Sequence, residues 1–295
     1  MGYLHIENLY KPTPQKLLAF RELYVLEKIH GTSAHVGWNK EGQIRFFAGG
    51  CNDMVFRNIF GTELPHPDTL TQTINERLRN QEVVIYGEAY GGKLQGMKNT
   101  YGDKTRFIAF DVSINDKWLA VHDAAQICER LGIPFVWYTK CEAHIDVLTA
   151  FRNQPSQQAK RNGILEDRKS EGIVIRPLFE VTLNNGERLI AKYKNDDFAE
   201  RKTKQVDPQN VIFLENANEV AEEWVTDMRL DHVLDKLGNP NGYEDIPKVI
   251  KAMIEDVMRE GQGEFEVTDA TPKAIGKKTV ELFKKRIRAI PADPT

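Results

Sequence analysis

From about Leu23 to Lys194 the chain alternates short apolar runs with turn signals. Leu23-Tyr24-Val25-Leu26, Val83-Val84-Ile85-Tyr86, Phe107-Ile108-Ala109-Phe110 and Ile173-Val174-Ile175 are rich in β-branched and aromatic residues and read as strands. Asn39-Lys40-Glu41-Gly42, Gly49-Gly50, Gly91-Gly92 and Asn184-Asn185-Gly186 punctuate them. Asn185-Gly186, between Val181-Thr182-Leu183 and Leu189-Ile190-Ala191, predicts a hairpin that leads into a strand carrying Lys192. Helices are predicted over residues 68–79, 116–131 and 145–152, with Ile133-Pro134-Phe135-Val136-Trp137 as a short strand between the last two. The pattern is that of an α+β domain built on antiparallel sheet with helices packed outside.

After Phe198 the period changes. Pro208 lies in a polar connector, and from Asn216 onward Val220, Trp224, Met228, Val233, Leu234 and Leu237 recur at helical spacing before Gly238. Thr271-Pro272 reads as a cap and first-turn proline opening a basic helix through Ile287. Two domains are expected, residues 1–205 and a small all-helical domain at 206–295.

Length and composition narrow the class. A chain of 295 residues with 41% hydrophobic and 28% charged residues is ordinary for a soluble globular protein. No apolar run reaches bilayer length and no secretory leader is read at the N-terminus, so a cytoplasmic location is expected. Cys51, Cys128 and Cys141 lack metal-ligand spacing and read as reduced thiols. The net charge of −3 neither supports nor excludes nucleic acid, which answers to local basic surface. Two such concentrations exist: Lys192, Lys194, Arg201, Lys202 and Lys204, and Lys277, Lys278, Lys284, Lys285, Arg286 and Arg288. The second is either a solvated helix face or an RNA contact.

Five short segments carry the chemistry. Glu27-Lys28-Ile29-His30-Gly31 is a strand end running into a turn that presents an amine; Glu88 follows Tyr86-Gly87, and Asp111 follows Phe110. Ser170-Glu171-Gly172 opens an apolar run, and in Lys192-Tyr193-Lys194 both lysines fall on one face of a strand. Strand ends thus deliver three carboxylates and three lysines, a mixture suited to a phosphate and a divalent cation. Each segment is common singly; their order is not.

That order resembles the covalent nucleotidyltransferase superfamily of DNA and RNA ligases and capping enzymes. It is most similar to the RNA ligase 2 family of phage-type, double-strand RNA ligases, through His30 in the lysine motif, Phe107-Ile108-Ala109-Phe110-Asp111-Val112 and Trp224-Val225-Thr226-Asp227-Met228-Arg229. The resemblance implies an ATP-grasp-like adenylation domain followed by a helical domain that binds RNA. It implies an ATP-dependent ligase that joins 3′-OH and 5′-phosphate RNA ends, at nicks in duplex RNA or RNA-containing hybrids, through lysyl-AMP and RNA-adenylate. Lys28 would be the nucleophile, while Lys192 and Lys194 hold the phosphate. Glu171 would bind Mg2+, with Mn2+ able to substitute, Glu88 would engage the ribose or the metal site, and Asp111 would serve the metal. Asp111 is equally open to a structural turn role. Phe110 and Val174 would sandwich the adenine, with core packing of Phe110 as the competing reading. The Glu27 and Ile29 backbone would read the adenine edge beside Gly31. His30 would orient the nucleotide phosphates or assist one later step, unless it is merely hydrogen-bonded.

Two departures stand out. Ser33 occupies a place where many members carry asparagine, and Phe46-Phe47-Ala48-Gly49-Gly50-Cys51 lacks an expected nucleotide-contacting arginine, with Arg45 and Arg57 flanking it. A DNA ligase, a GTP-using capping enzyme and a silent nucleic-acid-binding relative are the alternatives; a helical rather than OB-type C-terminal part weighs against the first two.

Overall fold

The computed structural model describes residues 3–203 and 213–289, which leaves Lys204 and Pro208 outside. Contacts divide the chain into two compact units, Met1–Asn195 and Asp196–Thr295. The expected boundary at 205/206 falls outside the described residues.

The first unit contains, in order, β1 (Glu22–Glu27), β2 (Thr32–Trp38), β3 (Ile44–Ala48), α1 (Asp53–Ile59), α2 (Pro67–Arg77), β4 (Val83–Gly91), α3 (Lys98–Tyr101), β5 (Thr105–Ile114), β6 (Lys117–Trp118), α4 (Val121–Arg130), β7 (Tyr138–Glu142), α5 (Ile145–Arg152), α6 (Gln157–Arg161), β8 (Gly172–Pro177) and β9 (Ala191–Lys194). They form two antiparallel sheets, ordered β7-β1-β8-β9 and β3-β2-β4-β5-β6. Alternation assigns the faces. On the five-stranded sheet Ala34, Val36, Trp38, Val83, Ile85, Phe107 and Val112 pack with Phe56, Leu70, Ile74, Ala124 and Cys128 from α1, α2 and α4. On the four-stranded sheet Leu23, Val25, Ile173 and Ile175 pack with Leu148 of α5. The remaining faces meet in a third cluster, where Tyr24 and Leu26 join Ile108, Val121 and Val136.

Several expectations are met and some are adjusted. The Asn185-Gly186 hairpin forms: Gly186 adopts φ +84° and Leu189 N–H donates to Val181 O at 2.9 Å. The helix expected from residue 116 begins only at Val121, because Asn115 and Asp116 take left-handed φ values of +49° and +60° in the turn from β5 to β6. Residues 133–137 give one parallel bridge, Ala109 to Phe135, rather than a strand. Helix α1 went unread: Asn52 caps it by accepting from the Met54 and Val55 N–H groups.

The second unit is helical: α7 (Ala217–Trp224), α8 (Asp227–Lys236), α9 (Ile246–Glu260) and α10 (Thr271–Ala289). Val220, Trp224, Leu230, Val233, Val249, Met253, Ile275 and Phe283 form its core. Within it Arg229, 2% exposed, holds Asp256 at 2.6 Å. Thr271 is the first helical residue rather than the cap, its hydroxyl accepting from Thr268 N–H. Among the described residues no helix is long and apolar enough to cross a membrane.

Candidate active site

Lys28 stands one residue past β1, and its N–H donates to Gly172 O at 3.0 Å, tying the end of β1 to the start of β8. On its other side Gly172 meets β9 too closely for a side chain: its φ is +137° and a Cβ would lie 2.2 Å from Tyr193 O. Gly31 has the same role at the entry to β2, since a Cβ there would meet Ala89 O at 2.2 Å.

With the backbone so fixed, four side chains from three segments converge. Glu171, 2% exposed, faces Lys28 Nζ at 2.9 Å, His30 Nδ1 at 3.4 Å and Lys194 Nζ at 3.2 Å. Burial raises the Glu171 carboxyl pKa, but Lys28, Lys194 and His30 outweigh it and hold the group well below the usual carboxylate range. The His30 N–H donates to the Tyr101 hydroxyl at 3.3 Å. Lys192, 8% exposed, is opposite Val174 in the β8/β9 ladder, as Lys194 is opposite Gly172. Alternation puts Lys192 and Lys194 on one face, while Tyr193 on the other meets the Thr149 hydroxyl at 3.2 Å.

A bulge shapes the facing sheet. Tyr86 pairs with Asp111 and Gly87 with Ala109, so Phe110 has no partner in β4. Phe110 and Val174 border the same apolar cluster between the sheets. Glu88 on β4 is half-buried and directly opposite Ser33, whose Oγ is buried without a hydrogen-bond partner.

One expected site residue lies elsewhere. Asp111 does not join the Glu171 cluster. Fully buried, it receives Arg176 Nη1 at 3.0 Å, Arg188 Nη1 at 2.7 Å and the Tyr3 hydroxyl at 2.6 Å. Its two oxygens are committed to holding β5 against β8, a positioning arrangement. Glu27 donates its N–H to Trp137 O at 2.9 Å. The Glu27 carboxylate is buried, accepting from Ser156 Oγ at 2.5 Å and Gln158 N at 2.9 Å. Burial raises its pKa against those two hydrogen bonds. Ile29 is 4% exposed in the inter-sheet cluster.

Tyr3, Arg176, Arg188 and Ser156 were not anticipated. Arg176 carried a signal, a charge closing the apolar run Ile173-Val174-Ile175; the others are brought in from distant segments and carried none.

For a divalent cation the donor set is partial. Among the described residues no three His, Cys, Asp or Glu side chains form a ready cage. Mg2+ keeps most of its waters and binds largely through substrate phosphates, so one or two carboxylates suffice. Glu171 and Glu88 fit that demand and Asp111 does not.

Comparison with known proteins agrees with this geometry. The RNA ligase family model matches residues 21–194, more than half of the chain and every residue of the Glu171 cluster. The chain belongs to the RNA ligase family. Among solved structures, an arginine-to-alanine variant of the Naegleria gruberi RNA ligase with ATP and Mn is similar to this family member at 17% identity and TM-score 0.50, over 70% of this chain and 59% of that one. A glutamate-to-alanine variant of the same ligase with AMP and Mn gives 16% identity and TM-score 0.50 over the same shares, 70% and 59%. The alignment thus spans 59% of those solved chains. At such identity the likeness is one of fold: an antiparallel-sheet α+β unit.

Proposed function

We propose that this chain is an ATP-dependent RNA ligase of the RNA ligase 2 type, joining 3′-OH to 5′-phosphate ends. The observation that carries this reading is the convergence of Lys28, His30 and Lys194 on Glu171. Lys28 Nζ, once deprotonated, attacks the α-phosphorus of ATP; the N–P bond forms as the Pα–O bond to pyrophosphate breaks. AMP then passes to an RNA 5′-phosphate, and a 3′-hydroxyl displaces it to close the phosphodiester. Lys192 and Lys194, on the face that also presents Val174, set positive charge against the phosphate oxygens. Phe110 and Val174 receive the adenine, and Asp111 positions Phe110 rather than binding metal. Mg2+, or Mn2+ as in the Naegleria structures, would be held by Glu171 and Glu88 and would neutralise phosphate charge.

The preferred substrate is a nick in duplex RNA or an RNA-containing hybrid. In support, α10 displays Lys273, Lys277, Lys285 and Arg288 within about a third of its circumference, all exposed. Among the described residues none of the four has a carboxylate within 4 Å. Such a stripe suits a phosphate backbone recognised by shape. The adenylation unit and the helical unit act as separate domains. Cys51, Cys128 and Cys141 are free thiols, which accords with a cytoplasmic location.

Incubation with Mg2+ and α-labelled ATP or GTP tests the reading, after pyrophosphate treatment to remove any bound AMP. Label that survives denaturation, comes from ATP alone and is lost in Lys28→Ala supports it. Label from GTP points to a capping enzyme, and no label from either nucleotide to a binding protein.

A further inference from the structure

The bulge separates the two halves of β5, and alternation along β2 and β3 gives the five-stranded sheet a second occupied stretch on the face that carries Glu88. Phe47 is 38% exposed, on the opposite side of β3 from Phe46, which packs into the core. Its ring stacks on His35 at 4.9 Å and 19°, and His35 meets Tyr86 at 5.5 Å. One ring face is therefore covered and the other free. His35 Nδ1 is buried with no hydrogen-bond partner, as is Ser33 Oγ two residues earlier on the same face. Two residues back along β3, Arg45 is exposed on the Phe47 face, opposite Gly37. Among the described residues it has no carboxylate within 4 Å. Arg57 is differently placed, paired with Asp53 at 2.7 Å and lying over Phe46.

We propose that Arg45, Phe47 and His35 form a nucleotide subsite for the RNA strand, its base stacked on Phe47 and its phosphate on Arg45. This rests on the RNA ligase reading above. The subsite follows β2 away from Lys28: Ser33 opposite Glu88, His35 about 7 Å further and Arg45 about 7 Å beyond that. β3 is an edge strand, so the platform opens to the side of the sheet. An exposed aromatic face beside an unpaired cation is the pairing that sequence-tolerant binding of single nucleic-acid strands uses. A partner protein would want apolar area, and a lone ring backed by histidine and flanked by arginine offers little.

The test uses the full chain and a nicked RNA duplex with 2-aminopurine at either side of the nick, in separate arms. Direct binding is read by fluorescence, and lysyl-AMP formation is measured on the same preparations. Phe47→Ala is expected to weaken RNA binding about tenfold, and Phe47→Trp to restore it. Arg45→Gln is expected to reduce the salt slope of binding by about one. Phe179→Ala, an exposed aromatic outside this face, serves as the unchanged reference. Phe47→Ala binding RNA within threefold of the parent, in both arms, overturns the subsite. Absence of lysyl-AMP in the parent protein overturns the ligase reading instead, and the binding arms still judge the subsite.

Discussion

Lys28 Nζ lies 2.9 Å from Glu171 Oε2, although 143 residues separate the two. The contact exists because β1 and β8 pair antiparallel and bring their functional ends together. Lys28→Ala is expected to abolish covalent labelling, by about 10³-fold or more, as removal of a nucleophile does elsewhere. The fold is expected to persist, since Glu171 keeps Lys194 and His30. Far-UV circular dichroism beside the label assay checks both halves.

Acid should unfold the protein through particular carboxylates. Glu171 and Asp256 are both held below the usual range: burial opposes this, but Lys28 and Lys194 around the first, and Lys236 and Arg229 around the second, prevail. The unfolded chain therefore binds these protons first. Their stabilisation is complete above the unfolded value, about 4, and is lost as pH falls through the lower folded values. Denaturant midpoints are expected to drop below about pH 4, and Asp256→Asn, about 3 kcal/mol less stable at neutral pH, to approach the parent there.

The Asp111 network separates a lost charge from a lost hydrogen bond. Asp111→Asn leaves Arg176 and Arg188 buried with Glu180 as their remaining anion, and should cost about 3–5 kcal/mol. Tyr3→Phe removes no charge, only the 2.6 Å hydrogen bond to Asp111 and the 3.0 Å one accepted from Arg188, a cost of about 1.5–3 kcal/mol. Urea titration of the two variants should give that order.

Gly172→Ala should be among the most damaging single methyl additions. The new Cβ would overlap Tyr193 O and sit at a φ of +137°, so β9 must move and carry Lys194 away from Glu171. Loss of labelling together with a lower melting temperature is expected, whereas Gly163→Ala, with nothing within 4 Å, should retain labelling.

Salt dependence reports on α10. Replacing Lys273, Lys277 and Lys285 by Gln should lower the slope of log affinity against log salt by about 2–3 for duplex RNA. Lysyl-AMP formation, measured without RNA, reports separately on the first unit.

The motif residues that touch Glu171 were legible because strand ends bounded by glycine announce themselves in the apolar pattern. Lys28, Gly31 and Gly172 sit where that pattern breaks. What stayed hidden depends on long-range pairing. The Asp111 partners come from residues 3, 176 and 188, and nothing local distinguishes an aspartate that binds arginines from one that binds metal. Helix α4 began late for a local reason, since two left-handed residues in the turn of Asn115 and Asp116 interrupt a stretch whose composition suits a helix.

The unpaired residue in β5 has a cost and a purpose. Ala109 and Val112, three apart, both face the helix-covered core, a spacing that strict alternation forbids. Without Phe110 every other side chain from Phe107 to Ser113 would keep its present face and the ladder with β4 would close. A strand selected for folding alone would therefore be one residue shorter. The extra residue turns Phe110 and Asp111 toward the same side, so one peptide unit supplies both a wall of the inter-sheet cluster and the anchor that keeps that wall in place.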